Sequence, residues 1–161
     1  MRHPVRRSQG FTFIELMMTL AIMGVLALIA VPLAQLAIQR EKERDLRTAL
    51  IQIREALDAY KRAADQGRLA VRLGESGYPK SLALLADGVD DQRSPTRQKM
   101  YFLRRLPRDP MFPDAAAAAE DTWGQRSYAS PPDAPSAGDD VFDVYSKSDK
   151  TGLNGVAYSK W

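Results

Sequence analysis

The stretch Gln9-Gly10-Phe11-Thr12-Phe13-Ile14-Glu15-Leu16 joins a basic leader to a long apolar run that carries one acid near its start. From Phe11 to Ile38 the only ionisable side chain is Glu15, and about 20 apolar residues suffice to cross the hydrocarbon core of a bilayer. The run reads as a membrane span. A carboxylate inside such a span costs on the order of 2.5–3.5 kcal/mol on insertion scales, so an acid kept there points to a partner and a function; the plainer alternative is a single-pass anchor with an accidental Glu. Arg2, Arg6 and Arg7 precede the span without an acid, whereas Gln39 to Asp45 offers three basic and three acidic residues. This asymmetry keeps the leader in the cytoplasm and sends the rest of the chain outward.

Past the span the pattern turns amphipathic without a break. Leu46, Leu50, Ile53, Leu57, Tyr60 and Ala64 recur at spacings of four and three, which is one face of a helix. Charged residues fill the other positions, so the stripe is expected to dock on a small folded domain. Gly67 is the expected end. A helix over 11–66 would be roughly 80 Å long at 1.5 Å per residue. Pro32 sits inside it and predicts a kink or a locally melted turn; Gly24 reads either as a point of close helix approach or as a residue merely tolerated in a membrane helix.

The remaining residues, from about Arg68 to Trp161, are enough for one small core. Gly77 to Leu85 reads as a turn and a short helix, and Tyr101 to Pro110, ending in two prolines, as a docking loop. Strands are expected over Gln125–Ser130, Val141–Ser146 and Val156–Trp161. Pro131 to Gly138 is a Pro/Ala/Ser/Gly connection, and the Ala115 to Ala119 run is a short helix or a flexible insertion. The fold class is α+β: a long N-terminal transmembrane and amphipathic helix packed on a small antiparallel sheet domain.

Gly10-Phe11, with Glu15 at the fifth place after the Gly and Arg6 and Arg7 ahead of it, resembles the class III signal of type IV pilins and type II secretion pseudopilins. An ordinary signal peptide is instead cut after its apolar region, beside small residues, and Ala30-Val31-Pro32 would be a poor site of that kind. Tyr78-Pro79, Leu106-Pro107-Arg108-Asp109-Pro110, Trp123-Gly124 and Phe142-Asp143-Val144-Tyr145-Ser146 extend the resemblance to the major pseudopilins of the secretion G type. The chain departs from that family at Met111 to Thr122, which reads as a surface insertion whose Met111 and Phe112 could cover a neighbour.

The resemblance implies that a prepilin peptidase cuts between Gly10 and Phe11 and methylates the new Phe11 amine. Glu15 would pair with the Phe11 ammonium of an adjacent subunit during assembly. It divides the chain into a cleaved leader (1–10), the transmembrane part of the helix (11–38), its amphipathic part (39–67) and a periplasmic domain (68–161). Implied partners are the peptidase, identical subunits and other pseudopilins, the inner-membrane secretion platform and the membrane itself, with assembly into a periplasmic filament that drives protein secretion. Two other readings stay open: a pilin of a type IV or DNA-uptake pilus, and a membrane-tethered binding protein that does not polymerise.

Composition bears on the chemistry. The formal charge of +3 comes from the leader: without Arg2, Arg6 and Arg7, 20 of the 23 basic residues remain against 20 acidic ones, so no nucleic-acid partner is expected despite the basic pI. Arg93, Arg97, Lys99, Arg104, Arg105 and Arg108 read as a solvated basic face, with an acidic partner as the sharper alternative. The chain has no cysteine, and its single histidine, His3, lies in the leader. Serine triads, cysteine nucleophiles and the usual zinc sites are thereby excluded. Adjacent acids such as Asp90-Asp91 and Asp139-Asp140 read as solvated turn residues, and no glycine motif cradles a phosphate. An enzyme is not expected.

The resembled family also binds structural calcium in the loop after the Phe-Asp-x-Tyr-Ser strand. Here that loop, Ser146 to Gly155, offers Asp149 and Asn154 near the ligand places, but Lys147 and Lys150 flank Asp149 and the family's following acidic run is missing. A calcium site and an ordinary turn rich in Ser, Gly and Asn both remain readings of it.

Overall fold

The structure is a computed structural model that describes residues 10–161; Arg2, His3, Arg6 and Arg7 of the leader lie outside the described residues. Two compact units divide it, one ending at Gln39 and the other spanning Arg40–Trp161. Helix α1, Phe13–Asp65, contributes to both.

In the first unit α1 exposes its apolar side chains all round: Phe13, Leu20, Leu28 and Leu33 are each more than half exposed. A helix apolar on every face needs an apolar surrounding, either lipid or other helices. The helix runs through Pro32 without a break, so the melted-turn expectation is not met. Lacking an N–H, Pro32 still leaves the Leu28 carbonyl without its usual helical donor.

In the second unit the stripe is the spine of the core. Leu46, Leu50, Ile53 and Leu57 are fully buried with Leu82, Leu85, Trp123, Val141, Val144 and Tyr158. The amphipathic residues and the domain that follows them therefore form one body. α1 ends where expected: the Gly67 N–H donates to Ala64 O (2.8 Å) and the Arg68 N–H to Ala63 O (3.0 Å). Gly67, at φ 68°, supplies the left-handed residue this C-terminal cap requires.

Helix α2 (Ala83–Asp87) follows the Tyr78-Pro79 turn. β1 (Val89–Asp90) pairs antiparallel with β2 (Lys99–Met100). β3 (Trp123–Arg126) pairs antiparallel with β4 (Asp143–Ser146), with Trp123 opposite Ser146 and Arg126 opposite Asp143. The architecture is the α+β, pilin-like fold expected. Local differences remain. β3 begins two residues before the expected strand and stops at Arg126. Val156–Trp161 is no strand: it holds one bridge, Thr151 to Ala157, and a short 3₁₀ turn, Tyr158–Lys160, because Tyr158 turns inward to the core. The β1–β2 hairpin was not expected at all. Arg68 anchors it by hydrogen bonds of 3.1 and 2.5 Å to Asp91. The Arg68 guanidinium, helped by the Arg93 backbone N–H, holds the Asp91 carboxyl below its usual range, so its contribution to stability is present at neutral pH and is lost as pH falls through the lowered value.

Leu106-Pro107-Arg108-Asp109-Pro110 docks inward. Asp109, 3 % exposed, accepts from the Ser146 hydroxyl (2.6 Å) and the Met111 N–H (2.7 Å), while its own N–H donates to Thr122 Oγ1 (3.1 Å). The indole N–H of Trp123 donates to Pro107 O (2.9 Å). Arg108 donates to the carbonyls of Asp114 and Ala117, which fastens the Met111 to Thr122 insertion, and Met111 packs on the core. The Ala115 to Ala119 run is turns rather than helix. Asp109→Ala would strand the Ser146 hydroxyl and the Met111 N–H; the expected loss is about 2–4 kcal/mol, read as a lower melting temperature.

Candidate functional site: the start of helix α1

Gly10 and Phe11 are exposed ahead of α1, outside any regular element, and Thr12 caps the helix. The Glu15 N–H donates to Thr12 Oγ1 (3.3 Å) and the Thr12 N–H to Glu15 Oε2 (3.4 Å). This reciprocal pair is a capping box, which satisfies two of the donors that a helix start leaves free. The Thr12-x-x-Glu15 spacing is its signature in the sequence. The Glu15 carboxylate is thereby turned back toward Thr12 and the chain end that a cut at Gly10-Phe11 would create.

The space around Gly10 is open: a Cβ built there meets nothing within 4 Å, and the same holds at Gly24. Among the described residues, packing requires neither glycine. Phe11 is 77 % exposed and available to an outside partner. The structure thus places Gly10, Phe11 and Glu15 together at one helix start, with Pro32 farther along the same unit.

The second sequence-derived site, Asp149 and Asn154, does not assemble in the same way. Both residues are exposed. Asn154 Oδ1 accepts from the Val156 N–H (3.0 Å), an Asx turn. The Lys150, Gly152 and Val156 carbonyls accept from Tyr158, Gly155 and Gly152. Among the described residues no three His, Cys, Asp or Glu side chains gather as metal ligands. With one carboxylate of its own, a lysine on each side of it and the Lys150 and Gly152 carbonyls already engaged, the loop does not fit a calcium ion, which needs six to eight oxygens.

The family model of the prokaryotic N-terminal methylation motif matches residues 5–31, the segment that holds Gly10, Phe11 and Glu15. The chain carries that motif on a pilin-like fold. More particularly, it is similar to the type II secretion system core protein G of Klebsiella pneumoniae, 28 % identical over 85 % of this chain and 94 % of the relative. The Klebsiella michiganensis protein of the same name is 29 % identical over 74 % of this chain and 80 % of the relative, and that of Dickeya chrysanthemi 29 % over 65 % and 64 %. No solved structure matches the chain. The likeness to G-type major pseudopilins is borne out, and the relatives run through the folded unit as well as the N-terminal motif.

Proposed function

We propose that the chain is a non-catalytic pseudopilin subunit, processed between Gly10 and Phe11 and assembled from the inner membrane into a periplasmic filament that drives folded proteins through a type II secretion machine. The observation that carries this reading is the first unit of α1, apolar on every face from Phe13 to Ile38 with one carboxylate in its first turn. Such a helix is stable in a bilayer and equally in a bundle of its own kind, so a subunit moves between the two with little loss of apolar burial. Glu15 is then the group that distinguishes them. In the isolated subunit it closes the capping box with Thr12; in the filament it faces the methylated Phe11 ammonium of a neighbour, and pairing the two charges offsets the cost of keeping either in an apolar core.

The relatives' name, core protein of type II secretion, favours secretion over DNA uptake. Deleting the gene should leave folded secretion substrates in the periplasm while their export across the inner membrane continues. Undiminished secretion in the deletion strain would contradict the proposal.

A further inference from the structure

The loop after β4 is held by a carboxyl group that α1 supplies. Glu43, 8 % exposed within the apolar stripe, reaches a loop more than a hundred residues away: its Oε1 accepts from the Leu153 N–H (2.8 Å) and from the Tyr158 hydroxyl (2.8 Å). Tyr158 is itself buried and stacks edge-on with Trp161 at 5.1 Å between ring centroids. Gly152 lies so close to this pair that a Cβ would stand 2.5 Å from Trp161 Cζ2. Loop, 3₁₀ turn and helix are thus one packed unit with a carboxylate at its centre.

A calcium site requires the opposite polarity. A cation collects oxygens, so a loop built around one turns carbonyls and carboxylates inward. Here the loop turns the Leu153 N–H inward, and the 3₁₀ turn after it adds the Tyr158 hydroxyl, so that two donors meet on one Glu43 carboxyl oxygen. We propose that Glu43 holds the Ser146 to Gly155 loop in the place where a cation would otherwise be needed, so that the order of this loop is independent of calcium. The inference rests on the folded unit alone and stands apart from whether the chain polymerises.

Hydrogen exchange on the full chain in detergent micelles tests it, with the Leu153 amide as reporter. In the wild-type chain, protection of Leu153 should be the same in millimolar calcium and in chelator. Glu43→Ala should speed its exchange by roughly tenfold or more, because the local opening loses the acceptor that closes it. Should Glu43→Ala fail to fold, Glu43→Gln keeps an acceptor oxygen without the charge and should show a smaller acceleration. Calcium-dependent protection of the wild-type loop, or wild-type exchange in the Glu43 variants, would overturn the proposal.

Discussion

Gly10→Val should accumulate as unprocessed precursor, with mature subunit reduced to a trace. The substitution costs the chain's own fold nothing that the structure reveals, because the space where the side chain would begin is open and α1 starts only at Phe13. A loss of processing therefore reports on an outside surface that must approach the backbone at Gly10 closely, which only a residue without a side chain permits. Gly24→Ala is the matching control: its surroundings are equally open, it lies well beyond the cut, and it should be processed at the wild-type rate. Immunoblots that separate precursor from mature chain, in cells with a single prepilin peptidase, read both. Normal maturation of Gly10→Val would remove the processing site from the account.

The second large effect is expected at Glu15, where two substitutions separate two roles. Glu15→Ala removes both the charge and the capping-box acceptor for the Thr12 N–H. Glu15→Gln keeps an acceptor suited to the capping box and removes only the charge. If the carboxylate pairs with a neighbour's ammonium, both variants insert and are cleaved, and both lose assembled filament by about tenfold or more, the equivalent of about 1.4 kcal/mol at each contact. Neither should be less stable in the membrane, since both make the span more apolar. Filament yield after shearing, normalised to mature subunit in the membrane, measures this. Wild-type assembly by Glu15→Gln would show that Glu15 acts only as a helix cap.

The long helix was legible because its two signals are independent: an uncharged run up to Ile38, then apolar residues at spacings of four and three up to Ala64. Gly67 could be read as its end because the cap it forms depends on backbone conformation, which glycine alone adopts freely. The β1–β2 hairpin was not legible. Its strands are two residues each, too short to show alternation, and what holds them is tertiary: Val89 and Met100 pack on Ala63, Ala64 and Leu69, and Asp91 pairs with Arg68. Val156 to Trp161 carries the Val, Tyr and Trp of a strand, yet the hydroxyl of Tyr158 finds Glu43 and the segment curls into a turn instead.

At the sites the same division holds. Gly10, Phe11 and Glu15 are neighbours in the sequence, so their juxtaposition at the helix start needed no tertiary information. Glu43 needed a great deal. In the sequence it is one of three acids following the span and reads as solvated charge; only the fold brings Leu153 and Tyr158 to it. Asp109 is similar, an acid between prolines whose burial appears once β4 and the Thr122 turn close over it.

The central claim is that the chain is a cleaved and N-methylated assembly subunit, and intact-mass measurement of the protein purified from its own membrane tests it most directly. The account predicts a mass equal to residues 11–161 plus one methyl group. A mass equal to the whole chain, or to residues 11–161 without the methyl group, would contradict it.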